Sequence, residues 1–256
     1  METVLIGCIS LVTGFTSGLL GIGGGIIMAP LLLFVPPLFG LAAFSMKTIT
    51  GLTLFQALVA CIIGTLTHRR FNYVSRDLVV YMGSSIFIAS LAGGAATKFV
   101  SNNLLLVLFA FLAGAAAILI LKKNLSDPEK PDESILQFSK FRAVSAAVSV
   151  GFIGGLVGQG GSFILIPLMT AYVRIPTRIA IGSNLAIVTL ASFAGFSGKA
   201  LVGEINWPLT LPILVAVPIA AYWGSILSHK CSVALLRRLL AVIIVLAVVK
   251  ILTMIF

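Results

Sequence analysis

The chain writes one glycine-rich stretch twice, and that duplication limits what it can fold into. Gly14 to Leu33 reads GFTSGLLGIGGGIIMAPLLL, and Gly151 to Thr170, 137 positions later, reads GFIGGLVGQGGSFILIPLMT. Ten of the twenty aligned positions are identical, among them Gly14/Gly151, Gly18/Gly155, Gly21/Gly158, Gly23/Gly160, Gly24/Gly161 and Pro30/Pro167. Continued in that register, Ala43-Phe44-Ser45-Met46-Lys47 lies over Ala180-Ile181-Gly182-Ser183-Asn184, which sets Lys47 opposite Asn184. Both copies interrupt apolar sequence, and paired glycine breaks of this kind point to a binding site in a repeat-built transporter.

Composition decides the solvent. Hydrophobic residues make up 59% of the 256 residues and charged ones 9%, with a mean hydropathy of +1.18, outside the range of soluble domains. Crossing about 30 Å of hydrocarbon takes roughly 20 helical residues, and several apolar runs reach that length. The chain therefore reads as an integral membrane protein that is nearly all membrane. The polar stretch 122–140 is too short to fold alone. A net charge of +10 fits cytoplasmic loops better than nucleic acid, because no groove-reading motif accompanies it. Cys8, Cys61 and Cys231 sit beside apolar residues and read as small core residues, not as a disulfide or metal framework. The first apolar run lacks a basic start and has its duplicate mid-chain, so it is expected to be structure and not a cleaved signal.

Each half divides into five apolar pieces: 4–20, 26–35, 44–67, 78–98 and 104–121, then 144–157, 163–173, 179–198, 209–228 and 239–255. Asp127-Pro128 and Lys130-Pro131 break the linker between them. If the first two pieces of each half form one broken span, the repeats are parallel and Lys/Arg divide ten against seven. If they form a hairpin, the repeats are inverted and the division is thirteen against four. On the hairpin reading only Lys47, Lys98, Lys199 and Lys250 fall on the poor side. Positive-inside orientation selects the hairpins. The expected fold is an all-α integral membrane protein of two inverted repeats, each a glycine-broken helical hairpin followed by three transmembrane helices. The repeats cover 1–121 and 141–256, the 122–140 linker is cytoplasmic, and both termini lie outside. A second piece of ten or eleven residues spans roughly 16 Å, so the glycine turns are expected deep in the bilayer, stopping there or crossing it.

Gly23-Gly24-Gly25 and Gly160-Gly161-Ser162 each precede a short helix. A helix start offers unpaired N–H groups and a positive dipole end, which favour an anion, and glycine lets the ligand approach. Gly14-xxx-Gly18 and Gly151-xxx-Gly155 instead suit close helix packing. Lys47 near the start of a third helix would neutralise an anion or snorkel to the interface. Ser183 and Asn184 would donate to a ligand or cap their helix. Gln56, deep in its helix, would line the pathway or tie helices together. Lys199 reads as an interfacial anchor and His68-Arg69-Arg70 as a cytoplasmic charge anchor.

The paired glycine blocks, each with a proline six residues after Gly24 or Gly161, stand with TGLTLFQALVACIIGTLTHRRF at 50–71 and IGSNLAIVTLASFAGFSGKALVGEI at 181–205. Together they resemble the sulfite exporter TauE/SafE family, also called the toluene sulfonate uptake permease family, over essentially the whole chain. The resemblance implies a transporter of small organosulfur compounds, sulfur oxyanions or other organic anions. It implies binding at the turn glycines, at Gln159 and Ser162 beside them, and at the polar starts of the third pieces.

All seven acidic residues lie at ends or in loops, so the usual intramembrane proton relay has no carboxylate to use. An anion leaving a negative interior gains about 2.3 kcal/mol per charge per 100 mV, whereas uptake would need a coupled ion. The expectation is therefore an exporter of a small anion such as sulfite, a sulfonate or sulfoacetate, in the cell membrane and without a cofactor. A passive anion channel and an uptake permease for organic acids are the alternatives. An enzyme is disfavoured, since His68 and His229 lie near loops and no cluster has metal or nucleophile spacing. The sequence leaves the oligomeric state open.

Overall fold

A computed structural model of the chain describes residues 2–70, 72–121, 138–158 and 161–232, and beyond them 234–236, 238, 239, 241–243, 245 and 246. Among the described residues there are helices and no strand. The first half contains α1 (Glu2–Leu20), α2 (Gly25–Leu38), α3 (Met46–Arg69), α4 (Arg76–Ala96, extended by a 3₁₀ turn, Thr97–Phe99) and α5 (Asn102–Leu121). The second contains α6 (Lys140–Val157), α7 (Ser162–Leu168, continued by a π turn, Met169–Val173), α8 (Thr177–Leu201) and, after a 3₁₀ turn at Trp207–Thr210, α9 (Leu211–Lys230). Helical residues resume within 234–246, where a last apolar piece is expected. Residues 122–137 of the linker lie outside the described residues.

Helix boundaries follow local chemistry. Ser45 begins α3 by accepting the Thr48 N–H at 3.2 Å, and Ser139 begins α6 by accepting the Arg142 N–H at 3.5 Å. Gly158 ends α6 in the left-handed region, its N–H bonding the Gly154 carbonyl. Among the described residues six helices, α1, α3, α4, α6, α8 and α9, the fourth and ninth counted with their adjoining 3₁₀ turns, are long and apolar enough to cross a membrane. The protein is thus an all-α, multi-pass membrane protein. By contrast α2, with 14 residues, rises about 21 Å, short of a full crossing. It outruns the expected 26–35 because Pro36 and Pro37 stay in its last turn, where they forgo backbone bonds instead of ending the helix.

The two halves pack by exchange. α1 lies along α9, and α6 lies along α4. α3 and α8 pack against each other, α3 against α9 and α8 against α4. The GxxxG pairs make these contacts close: Gly18 meets the backbone of Ala221 on α9, and Gly155 meets that of Ser90 on α4. α3 and α8 are antiparallel. Lys47 at the start of α3 pairs with Glu204 just past the end of α8, while His68 near the end of α3 and Arg178 at the start of α8 line one cleft.

One expectation about the duplication is corrected here. The 137-residue register holds through the turns but slips before the third helices. Gly25 to Met46 is 21 positions, whereas Ser162 to Thr177 is 15, because α2 and the loop after it are longer. From there the equivalent positions are 131 apart: α3 starts at 46 and α8 at 177. Contacts follow this register, since Gly51 packs on the Glu204 carbonyl and Gly182 on the Tyr73 carbonyl. Asn184 therefore corresponds to Thr53, and Lys47 to Arg178, not Lys47 to Asn184.

Candidate functional site

Gly24 and Gly161 are the positions where the turns need glycine. Each is the N-cap of its short helix at φ 74, in the left-handed region, with no side-chain cap. Their surroundings differ. A methyl on Gly24 would stand 2.5 Å from Gln56 Nε2 and 2.7 Å from the Thr13 carbonyl oxygen. A methyl on Gly161 would strike Val150, the residue equivalent to Thr13. The first turn thus presents its backbone to an amide on α3, and the second packs on an aliphatic side chain of α6.

The turns meet in a fully buried centre. Ser162 Oγ–H donates to the Ile22 carbonyl across the two halves. Asn184 Nδ2 donates to the Gly21 carbonyl at 2.5 Å and to the Ser162 carbonyl at 3.1 Å. Thr53, in the equivalent place on α3, donates Oγ1–H to the Gly158 carbonyl at 2.6 Å. Gln56 has no exposed surface, and neither Nε2 nor Oε1 has a hydrogen-bond partner. Leaving a buried amide unpaired costs roughly 1–3 kcal/mol, so it calls for an explanation. Gln56 lies ten residues into α3, about 15 Å along a helix of about 36 Å.

The structure therefore brings together Gly23, Gly24, Gly25, Gln56, Ser162 and Asn184, with Gly161 on the far side of its turn. Gln159 and Gly160 lie outside the described residues. Ser183 is not brought there: its Oγ accepts the Ser75 N–H at 2.9 Å, at the start of α4. Lys47 is also elsewhere, at the mouth of a cavity.

That cavity, of about 410 Å³, opens where α3 starts and α8 ends and is lined by Lys47, Thr48, Glu204, Asn206 and Trp207 among others. Lys47 Nζ is 3.0 Å from Glu204 Oε1 and donates to the Lys98 carbonyl at 3.4 Å. Lys199 Nζ stands 3.9 Å from Glu204 Oε2, and the Lys199 side chain is wholly buried, unlike an interfacial anchor. At the opposite end, Arg178, His68, Tyr73 and His229 surround a cleft with no room for a water molecule. Arg178 Nη2 donates to the Cys231 carbonyl at 3.0 Å, and its guanidinium lies over the Tyr73 ring, 5.6 Å from the centroid. The His68 ring bonds the Gly18 carbonyl at 3.3 Å. So His68 is buried against α1, and only Arg69 and Arg70 carry exposed charge.

In the corrected register the two ends are built from the same positions: Lys47 with Arg178, Lys199 with His68, Glu204 with Tyr73. Sequence reading missed Glu204 and Tyr73 as partners across the halves; the signal was Gly51 and Gly182, the small residues that let those loops approach. Among the described residues, no group of three His, Cys, Asp or Glu is placed to hold a metal.

Membrane-length helices around a buried, duplicated helix break make this a multi-pass membrane protein. The chain belongs to the sulfite exporter TauE/SafE family, whose model matches residues 6–251. It is similar to the probable membrane transporter protein YunE of Bacillus subtilis, 23% identical over 96% of each chain. A probable membrane transporter protein of Methanocaldococcus jannaschii is 24% identical over 91% of this chain and 89% of its own. One of Haemophilus influenzae is 27% identical over 92% and 91%. No solved structure matches the chain significantly. The protein is a membrane transporter and not an enzyme.

Proposed function

We propose that the protein is a secondary transporter that exports small sulfur-containing or organic anions, such as sulfite, sulfonates or sulfoacetate, across the cell membrane. The anion is held at the start of α2, by the backbone of Gly23, Gly24 and Gly25 and by the Gln56 amide, with Asn184 and Ser162 fixing the turn from behind. The observation that carries this reading is Gln56. A fully buried amide with both atoms unpaired, facing the backbone at a helix start, suits a ligand that supplies the missing bond.

The repeats 1–121 and 141–256 are inverted, with the 122–140 linker cytoplasmic and both termini outside. Antiparallel α3 and α8 support the inversion. The side-chain contacts agree with the charge count as well: Lys47 and Lys199 share Glu204 on the poor face, and Arg178 and His229 share a cleft on the rich one. Room for water at one end and none in the cleft at the other suits a centre approached from one side at a time. Export runs down the membrane potential; uptake would require a coupled ion.

The test is anion flux in proteoliposomes. Gly24→Leu and Gly161→Leu should abolish it. Gln56→Leu should lower it about tenfold or more, the worth of one charge-assisted hydrogen bond, with thermal unfolding unchanged. Wild-type flux in Gln56→Leu would remove the central site. Flux that neither saturates nor shows counterflow would make the protein a channel.

A further inference from the structure

We propose that the cavity between the start of α3 and the end of α8 is a second anion site, distinct from the glycine centre, in which Glu204 stands in for the anion. Its cations outnumber its acid. Lys47 and Lys199 flank a single carboxylate, and the Lys98 backbone adjoins Lys47. Lys47 and Lys199 are two of the four basic residues that the charge count leaves on this face, and both lie against Glu204, which lines the cavity.

Lys199 is the decisive group. An ammonium with no exposed surface is costly unless closely paired. Yet Lys199 Nζ makes no hydrogen bond, and its one acid neighbour is 3.9 Å off. Glu204 Oε2, the oxygen facing it, is equally without a hydrogen bond. The carboxylate is committed to Lys47 at 3.0 Å and reaches Lys199 poorly. A free oxyanion can sit between the two ammonium groups and bond both, which a carboxylate tethered to residue 204 does not do. Glu204 also sits on the connection Val202–Asn206, which includes Gly203 at φ 75, with open space around that glycine. The tether thus has somewhere to swing. The ligand class that fits is a small oxyanion with at least two oxygens on one centre: sulfate, a sulfonate or a carboxylate. Gln56 lies nine residues on from Lys47 along α3, about 14 Å deeper.

The experiment is calorimetric titration of the purified full-length protein with sulfate and, separately, methanesulfonate. Glu204→Gln removes the competing charge while keeping shape, and should tighten binding about tenfold. Lys199→Gln and Lys47→Gln should each weaken it by about as much; Lys47 is partly exposed, so its variant tests the site even if Lys199→Gln does not fold. Gln56→Leu, which keeps the fold, should leave this binding in place, and that separates the cavity from the centre. Unchanged or weaker binding in Glu204→Gln overturns the proposal. So does loss of all binding in Gln56→Leu, which would mean that the titrated anion sits at the glycine turns.

Discussion

The two ends of the α3–α8 pair are the same design carried out with different residues. At one end Lys47 and buried Lys199 share Glu204 beside a cavity of about 410 Å³. At the other, Arg178 and His68 occupy the equivalent positions, and Tyr73 takes the place of Glu204 in a cleft that admits no water. Lys47 and Glu204 line a polar cavity with room for water. An aromatic ring under a guanidinium fills its space and excludes water. At equivalent backbone positions, one end thus carries a cavity with room for water and the other a cleft without it.

Accessibility offers the largest effect by which to break this comparison. Lys47→Cys should react with a membrane-impermeant maleimide added outside intact cells, and Arg178→Cys should react only when the reagent reaches the inside. Labelling of both from one compartment would end the idea of opposite openings. Packing is next. A methyl on Gly182 runs into the Tyr73 backbone, whereas one on Gly51 is 3.2 Å from the Glu204 carbonyl. Gly182→Ala should therefore lower stability by about 1–3 kcal/mol, and Gly51→Ala by distinctly less, read by thermal unfolding in detergent. Equal losses would mean that the shut end is no tighter than the open one. The smallest effect is the sharpest in meaning. Lys199→Met replaces a poorly paired buried ammonium with an apolar chain of similar length, and should be neutral or stabilising by about 1 kcal/mol. A large loss would show that Lys199 is there to hold the fold and not to meet an anion.

Much of this was legible in the chain. Hydropathy placed the helices, since each must satisfy its own backbone in lipid, and α1, α3 and α8 begin and end within about three residues of the apolar runs. The duplicated glycines located both turns because a left-handed N-cap leaves a durable mark on sequence. The six-residue slip before the third helices was hidden: the loop after α2 carries no motif, and apolar residues align acceptably in several registers. That slip is why Lys47 reads as a partner of the centre when it guards an end. Charge in sequence also looks alike whether a helix end is bare or covered, so the burial of His68 and Lys199 appeared only once α1 and the Val202–Asn206 connection were folded over them. Gln56 stood out in both readings, because an amide amid aliphatic residues has to be accounted for in any fold.

The cross-bonds at the centre carry a mechanical consequence. Ser162 reaches the Ile22 carbonyl, and Asn184 ties Gly21 to Ser162, so the two helix breaks are riveted into a single body. Neither can swing without dragging the other. Whatever rearrangement transport requires must either carry this junction as one piece or break its bonds together.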